Sequence, residues 1–400
     1  MIVLYILTGL LFLYLAATLS YLFVLAVAGR LGKLRRYTTY PEKSKIAVII
    51  PSYKEDNIIV QTAAQALQQD YPTDRYTVTV IADQLQPETV AALRALPVQV
   101  VEVALNMKAK SLNAGFAELE KGGIGVEGRY DLALILDADN IMGAGVLEKV
   151  NHAYRSGWRV IQCHRTAKNK NTAVALLDAL SEEANNTMFR RGQRVLGLSC
   201  ALIGSGMAFQ YELLRGIFAL PQIQDNPGED REVDIQLVSN EIVVEYIEDA
   251  YVYDEKVQRK EVFEKQRTRW LATQVDHLKR FLAKDMRRHF GEKIYMHKLF
   301  QCLFLPRLLL LLLFGVILLV CGVDVFFGLR LLAPGPWWWV ALMILYVVTL
   351  VTAVPAVFYN RDTLKALAKI PSLMLSMVRA LLKIKKNKTG FLHTPKEFSG

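Results

Sequence analysis

Two aspartates separated by a single residue, Asp137 and Asp139, directly follow a strongly apolar run at residues 132–136. Side chains two residues apart on an extended chain point to the same side, so the pair can present both carboxylates to one ligand. Carboxylate oxygens are ligands that proteins offer to Mg²⁺ and Mn²⁺. The ordinary alternative is a solvated turn at the end of a strand. Triplets of the form Asp-x-Asp are frequent in proteins, so the surrounding sequence must decide between a ligand site and a turn.

Further polar motifs follow other apolar runs. Tyr53 and Glu55 lie in the segment PSYKE after the first run, and Asp83 ends the second run. The later motifs are KAKSLNAG (108–115), GSGMAF (204–209), GED (228–230) and QRTRW (266–270). Their order and combination are more informative than any single motif.

The elements that must position these motifs alternate between short β-branched runs and helical patterns. Strands are predicted at 46–50, 77–81, 98–103, 132–136 and 159–163, and intervening helices at 58–69, 111–121 and 173–190. This alternation is typical of an α/β domain with a largely parallel sheet. Ligands of open α/β sheets bind beyond the carboxyl ends of the strands, which is where the polar motifs lie.

With these motifs in this order, the chain resembles family-2 glycosyltransferases of the GT-A fold, especially membrane members similar to cellulose, chitin and hyaluronan synthases. The resemblance covers roughly residues 44–275. It implies inverting, metal-dependent hexosyl transfer from a nucleotide-diphosphate sugar, with a UDP-sugar as the expected donor. Two positions depart from the family pattern and bear on nucleotide contacts: Lys54 replaces the usual Asn, and Leu85 replaces a small hydroxyl residue.

The resemblance also implies a Mg²⁺ or Mn²⁺ cofactor bound by Asp139, with Asp137 reaching the nucleotide. The physical reason is that negative charge grows on the leaving diphosphate as the glycosidic bond breaks. A divalent cation held by carboxylates stabilises that charge.

Several residues are expected to bind the rest of the donor. The resemblance implies that Asp83, with Glu55 or Tyr53, holds the base and ribose, although Asp83 could instead serve only to form a turn. Lys108 would contact phosphate or base, and Lys110 is a close competitor for that role.

Asp230 is the expected general base, which takes the proton from the acceptor hydroxyl as that oxygen attacks. Alternatively, the Asp230 carboxylate serves only to stabilise the N-terminus of a helix through the helix dipole. One carboxylate can also fill both roles. Glu229 is expected beside it, and Gly204, Ser205 and Gly206 are expected near the acceptor or diphosphate.

Gln266, Arg269 and Trp270 have the i, i+3, i+4 spacing that places side chains on one face of a helix. Arg269 can fork to a diphosphate, and Trp270 offers a flat wall for an acceptor sugar. Taken alone, the same string could be an interfacial membrane anchor.

Long apolar runs predict a membrane protein, because about 20 apolar residues cross a hydrocarbon core of about 30 Å. The chain divides into a span at 1–29, a GT-A domain at 40–260, interfacial helices at 261–298, spans at 299–327 and 335–359, and a cytoplasmic interfacial helix with a tail at 362–400. A cleaved signal peptide is disfavoured for 1–29, because that run is long and its positive charges follow it.

The charge distribution indicates sidedness. The basic residues after the first span place the catalytic domain in the cytoplasm, which predicts a multi-pass protein of the plasma (inner) membrane. Lys and Arg number 48 against 38 Asp and Glu, but the basic clusters adjoin apolar segments, which indicates membrane lipids and not nucleic acid as partners. The four cysteines are expected to be free thiols.

The tail FLHTPK is similar to the FxVTxK gating loop of cellulose synthases, with His393 in place of the valine. Phe391, Thr394 and Lys396 would then close over a bound diphosphate. A disordered terminus is the alternative.

The predicted function is transfer of a sugar to a lipid-linked or growing polysaccharide acceptor in exopolysaccharide or cell-envelope synthesis. One alternative is a processive polysaccharide synthase coupled to export, which three spans would support only through a homo-oligomer or an export partner. The other is a non-catalytic membrane scaffold or transporter component, which predicts lost carboxylates, whereas all of them are present.

Overall fold

A computed structural model of the chain describes residues 2–121, 130–224, 226 and 228–383, apart from the side chains of Lys121, Arg269, Lys284, Asp285 and Lys383. Its strands are β1 (Ile46–Tyr53), β2 (Tyr76–Asp83), β3 (Gln99–Val103), β4 (Leu132–Ile135), β5 (Ile141–Met142), β6 (Val160–Ala167), β7 (Met207–Gln210) and β8 (Glu245–Asp254). They form one sheet in the order β3-β2-β1-β4-β7-β6-β8-β5.

Helices cover both faces of this sheet and extend beyond it. Up to the end of β8 they are α1 (Ile2–Leu31), α2 (Ile59–Ala66), α3 (Pro87–Arg94), α4 (Lys108–Lys121), α5 (Val146–Arg155), α6 (Ala173–Asn185), a π-helix (Asn186–Gly192), α7 (Gln193–Val195), α8 (Tyr211–Phe218), α9 (Pro221–Gln224) and α10 (Glu229–Ser239). After β8 come α11 (Lys260–Phe281), α12 (Lys284–Arg287), α13 (Lys293–Cys302), α14 (Arg307–Phe327), α15 (Pro336–Ala353), a 3₁₀-helix (Ala356–Phe358), α16 (Arg361–Leu367) and α17 (Ile370–Lys383).

Six of the eight strands described in this sheet run in one direction, which confirms the prediction of a largely parallel sheet, and β5 and β7 run against them. β1 pairs in parallel with β2 and β4, and β2 with β3. β7 is antiparallel to both β4 and β6, so it reverses the local direction in the middle of the sheet. An antiparallel neighbour needs no crossover connection, although α6, the π-helix and α7 lie between β6 and β7 in the chain.

The central strands bury both faces, which explains their continuous apolar sequence. On β1, Val48 and Ile50 pack with α2 and α5 on one face. Ala47 and Ile49 pack with α4 on the other. All four side chains are fully buried, so this alternation holds the carboxyl end of β1 in a rigid frame.

Within the described residues, three helices are long and apolar enough to cross a membrane, namely α1, α14 and α15. They share one apolar cluster that includes Leu19, Phe314 and Trp339. α14 begins eight residues after the expected position 299, because Pro306 adopts extended backbone and separates it from α13. α15 ends at Ala353 and not at 359, because Val354 precedes Pro355 and is extended.

α1 packs directly on the π-helix through glycines on both elements. A Cβ atom on Gly29 would lie 2.1 Å from the carbonyl oxygen of Thr187, and one on Gly192 would lie 2.2 Å from that of Leu25. Only glycine permits such backbone contact at these positions. This contact joins the first apolar helix to the domain that carries the sheet.

Candidate active site

The polar motifs gather at one edge of the sheet. β1, β2 and β4 are parallel, so Tyr53, Asp83 and the Asp137 segment meet at their carboxyl ends. β8 runs in the same direction as β4, because β7 is antiparallel to β4 and β6, and β6 is parallel to β8. The end of β8 at Asp254 therefore joins the same edge, which opens into a cavity of about 1850 Å³.

Most of the residues predicted from the sequence line this cavity. They are Tyr53, Glu55, Asp83, Lys108, Asp137, Asp139, Gly204, Glu229, Asp230, Gln266 and Trp270. The side chain of Arg269 lies outside the described part of the chain, as do Phe391, Thr394 and Lys396. Lys110 is not among the described lining residues, which favours Lys108 of the two competing lysines.

Asp137 and Asp139 lie in a turn and not on an extended segment, which corrects the geometry assumed from their spacing. The N–H of Asn140 donates to the carbonyl of Asp137 at 3.0 Å and closes the turn. The side-chain amide of Asn140 donates to Oδ1 of Asp139 at 3.1 Å and to Oδ1 of Asp254 at 3.0 Å. Asn140 therefore holds the Asp139 carboxylate toward the end of β8.

The segment Gly204–Gly206 packs against this turn and forms hydrogen bonds with it through Ser205. Ser205 is fully buried, accepts a hydrogen bond of 2.9 Å from the N–H of Asp137, and donates to Oδ1 of Asn140. Gly204 and Gly206 have φ of +79° and +60°, a left-handed conformation that favours glycine. Gly204 is among the described lining residues of the cavity, whereas Ser205, which holds the turn, and Gly206 are not.

Lys108 connects three functional segments. Its Nζ donates to Oδ1 of Asp137 at 2.6 Å and to the carbonyl of Gly204 at 2.8 Å, and lies 3.7 Å from Glu229. Burial disfavours its charge, but the carboxylates of Asp137 and Glu229 outweigh burial and raise the Lys108 pKa above its ordinary value. The ammonium therefore stays charged where a phosphate would bind.

Glu229 and Asp230 begin helix α10 at the cavity wall. Burial, followed by the negative charge of Asp230, raises the pKa of Glu229 to about 7, although Lys108 opposes the shift. Oδ1 of Asp230 accepts from the N–H of Arg231, and a Cβ atom on Gly204 would come within 3.7 Å of Oδ2. Gly204 thus leaves space beside the Asp230 carboxylate.

The hydrogen bonds of the Asp83 carboxylate go to neighbouring protein groups. Its carboxylate accepts hydrogen bonds from the N–H groups of Leu105 and Asn106, at 3.1 and 2.9 Å, and from the Ser111 hydroxyl at 2.9 Å. With 1% exposure, it fixes the loop before α4. The turn-forming role considered from sequence is therefore present, and any contact with a ribose would add to it.

Helix α11 presents Gln266 and Trp270 to the cavity. The Oε1 atom of Gln266 is buried without a hydrogen-bond partner among the described residues, so it remains available to a ligand. Trp270 is 39% exposed, and its ring lies 4.1 Å from the guanidinium of Arg267. Arg267 also forms an ion pair with Asp178, which orients the Trp270 ring as a wall of the cavity.

Sequence reasoning did not identify a buried charged network beside Asp254. Lys256 forms ion pairs with Asp254, at 2.6 Å, and with Glu182, whose other oxygen accepts from Arg165 at 2.7 Å. Two cations and two carboxylates thus balance one another. Arg165 and Glu182 both have polar neighbours in the sequence, so no local pattern showed that they are buried or that they meet.

The donor set fits Mg²⁺ or Mn²⁺. Asp137, Asp139, Glu229 and Asp230 line one end of the cavity, and oxygen ligands suit both ions. No cluster of three or more ligating side chains is present in the described parts of the chain. Mg²⁺ is commonly held by one or two carboxylates together with substrate phosphates, so two aspartates suffice. Lys108 donates to Asp137 and Asn140 donates to Asp139, so both carboxylates already have protein partners beside any bound ion.

The curled α/β sheet, with carboxylates at its carboxyl edge, defines a glycosyltransferase domain of the GT-A type. Residues 41–273 match the family described as glycosyltransferase like family 2, and this is more than half of the chain. The chain therefore belongs to glycosyltransferase family 2. No curated protein matches it.

A solved structure shows the same fold, and others match part of the chain. The mannosyltransferase PcManGT from Pyrobaculum calidifontis, in complex with GDP-Man and Mn²⁺, is 16% identical, with coverage of 96% of this chain and 100% of that chain and a TM-score of 0.55. S. aureus TarS is 15% identical over 62% of this chain and 44% of that chain, with a TM-score of 0.38. Glucosyl-3-phosphoglycerate synthase from Mycobacterium tuberculosis, with Mn²⁺, UDP and glucosyl-3-phosphoglycerate, is 16% identical over 58% and 80%, with a TM-score of 0.39.

Proposed function

We propose that this protein is a membrane-bound, inverting glycosyltransferase that moves one hexose from a nucleotide-diphosphate sugar to a lipid-linked acceptor in exopolysaccharide or cell-envelope synthesis. The observation that carries this proposal is the extent of the cavity. It begins at Asp139 and Asp230 and continues between the apolar helices, where Leu22, Leu311 and Leu350 line it. A cavity that is acidic at one end and apolar at the other suits a sugar donor and a lipid.

The donor end is suited to a nucleotide diphosphate. Tyr53 and Glu55 lie at the carboxyl end of β1, where a base and ribose would bind, and Lys108 supplies a charge for the diphosphate. The resemblance of the motifs suggests UDP, whereas the fold neighbour PcManGT holds GDP-Man, so both classes of donor belong in a test. Mg²⁺ or Mn²⁺, held by Asp139, would stabilise charge on the departing diphosphate.

Asp230 is the proposed general base. Its carboxylate would accept the proton of the acceptor hydroxyl as that oxygen forms a bond to the anomeric carbon. The bond from this carbon to the diphosphate oxygen breaks on the opposite face, so the configuration inverts. Lys108 would hold the diphosphate, Gln266 and Trp270 would orient the acceptor sugar, and Ser205 with Asn140 would keep the Asp137–Asp139 turn in place.

The proposed topology follows from charge and helix placement. α1, α14 and α15 would span the plasma membrane, and α11, α13 and α17 would lie at its cytoplasmic surface. The catalytic domain would then face the cytoplasm. The tail residues Phe391, Thr394 and Lys396 are proposed to close over the bound diphosphate.

The experiment is a donor screen with purified, detergent-solubilised protein. Nucleotide release is measured for a panel of UDP-, GDP- and dTDP-hexoses, with Mn²⁺ and a membrane lipid extract. We expect release with one donor or a few, dependent on the lipid, and a product that carries a single added sugar. Long polymeric product would instead indicate a processive synthase. No lipid-dependent release with any donor would contradict the proposal.

A further inference from the structure

Two arginines, Arg190 buried and Arg307 partly buried, lie where the acidic part of the cavity meets its apolar part. Arg190 belongs to the π-helix and is 3% exposed, and Arg307 is the first residue of α14. Both line the cavity. The sequence motifs that define the donor site include neither residue.

The two guanidinium groups are held by adjacent residues. Arg190 donates from Nη1 to Oδ1 of Asn186 at 2.9 Å, and Arg307 donates from Nη2 to the carbonyl of Ser181 at 3.0 Å and to Asn185. Because Asn185 and Asn186 are consecutive, the two cations face the same stretch of backbone. Each guanidinium has further N–H groups that no described residue accepts from, and Nε of Arg190 is buried without a partner.

Neither arginine has a carboxylate within ion-pair distance in the parts of the chain that the structure describes. The nearby carboxylates are already engaged, Glu182 by Arg165 and Lys256, and Asp178 by Arg267. Burial lowers the pKa of Arg190, consistent with a cation that lacks an ionic partner. A buried charge without a counter-ion is costly, so an anion bound here would offset a cost already present in the fold.

The position of Arg307 indicates what kind of anion this is. α14 is a candidate membrane span that begins at Arg307, so the guanidinium lies at the level where hydrocarbon would begin. Beyond it, the cavity is lined by Leu308, Leu311 and Val347 from α14 and α15. A free anion would leave these apolar walls without a partner, whereas a phosphate ester with a long apolar chain would contact both parts.

We propose that Arg190 and Arg307 bind the phosphate group of a lipid-phosphate-linked saccharide acceptor. Its apolar chain would lie between α14 and α15, and a hydroxyl of its sugar would give up its proton to Asp230. This inference rests on the proposed function, since it names the group by which that site holds the acceptor. Arginine suits this role because its planar N–H groups can bind phosphate oxygens in pairs. The two arginines are positioning residues, and the proton transfer stays with Asp230.

The test measures by calorimetry how tightly farnesyl phosphate binds to the full chain. The protein is held in uncharged detergent, without donor or metal. Farnesol and inorganic phosphate are the comparison ligands. We expect farnesyl phosphate to bind at least about tenfold more tightly than either, since hydrogen bonds to charged groups are the strong ones. Equal affinity for farnesol, or equal affinity for inorganic phosphate, would overturn the assignment to a lipid phosphate.

The variants Arg190→Gln and Arg307→Gln should each weaken farnesyl phosphate binding by about tenfold or more and leave farnesol binding unchanged. Arg190→Lys and Arg307→Lys keep the charge and should recover part of the loss. Arg288→Gln is the matched control, because Arg288 is an exposed arginine outside the lining of the cavity. Wild-type affinity in both glutamine variants, or an equal loss in Arg288→Gln, would overturn the site.

Two further measurements distinguish loss of the phosphate site from misfolding of the variants and from failure of the proposed function. Nucleotide-sugar affinity, measured on the same variants, should stay within about twofold of wild type, because neither arginine belongs to the donor site. A wild type that binds farnesyl phosphate but no nucleotide sugar contradicts the proposed function alone. A wild type that glycosylates a lipid, while both glutamine variants bind farnesyl phosphate normally, contradicts this inference alone.

Discussion

The Nζ atom of Lys108 lies 2.6 Å from Oδ1 of Asp137, and this contact joins the start of α4 to the turn that carries Asp139. The two side chains are 17% and 32% exposed, so solvent screens the pair only partly. The lysine thereby offsets negative charge at the end of the cavity that is proposed to accept a diphosphate. This dual demand makes Lys108 the most informative cation of the donor site.

Lys108→Gln should weaken binding of the nucleotide sugar by about tenfold or more, because it removes the cation nearest the diphosphate and leaves Asp137 without its partner. Calorimetric titration of the donor measures the change. Lys110→Gln is the matched control two residues along the same helix and should bind within about twofold of wild type. A larger loss in Lys110→Gln than in Lys108→Gln would reverse the assignment.

Asp139→Ala should abolish the metal dependence of donor binding, because this carboxylate is the proposed link between cation and diphosphate. Mn²⁺ and Mg²⁺ are titrated into wild type and variant at a fixed donor concentration. Asp249→Ala, an exposed aspartate on β8, is the control. If the variant kept the metal requirement of the wild type, Asp139 would not be a ligand.

Glu229→Gln should stabilise the metal-free protein at alkaline pH. The Glu229 pKa is raised to about 7 from an ordinary value of 4.5, so its ionisation opposes folding. Its contribution to stability is therefore present below about pH 4.5 and is lost as the pH rises through 7. Because glutamine stays neutral, the free energy of unfolding of Glu229→Gln should exceed that of wild type by on the order of 2 to 3 kcal/mol at pH 8. At pH 4.5 the two should be almost equal.

Thermal unfolding midpoints across this pH range measure the effect, with Glu88→Gln as the control at an exposed position. The unfolding midpoint of Glu229→Gln should rise relative to that of wild type between pH 4.5 and pH 8. A relative fall over this range would contradict the prediction.

Gly29→Leu should destabilise the docking of α1 on the π-helix, because even a Cβ atom would lie 2.1 Å from the carbonyl oxygen of Thr187. Overpacking of this kind costs about 1 to 3 kcal/mol or more. Gly9→Leu is a control on the same helix, since a Cβ atom there meets nothing within 4 Å. Midpoints of thermal unfolding in detergent should fall for Gly29→Leu only, and equal midpoints would show that this contact is not tight.

The central strands could be predicted from sequence because they are buried on both faces. Val48 and Ile49 face opposite clusters, so β1 is apolar without interruption. The position of Asp83 and Asp137 at the edge of the sheet then followed from the rule for strand ends. The reversed direction of β7 could not be predicted, since nothing local to β7 determines which neighbour it pairs with.

The detailed site depended on contacts between distant segments. The Asp137–Asp139 turn needs Ser205, which lies 68 residues after Asp137. Arg190 and Arg307 come together because they bond to the consecutive residues Asn186 and Asn185, although they lie far apart in the chain. Periodicity reports the face on which a side chain lies within one element, and it carries no information about which other element covers that face.

The central claim, that this cavity transfers sugar to a lipid with Asp230 as base, is tested most directly by one measurement. Labelled sugar is supplied as the nucleotide-sugar donor that the screen identifies, and label that becomes extractable into organic solvent is counted for wild type, Asp230→Asn and Asp276→Asn. Asp276 is an exposed aspartate on α11 and provides the control. We expect label in lipid for wild type and Asp276→Asn, and a loss of about 10²- to 10⁴-fold for Asp230→Asn with donor affinity kept within a few fold. Transfer by Asp230→Asn above about a tenth of the wild-type rate, or no lipid label with wild type, would contradict the account.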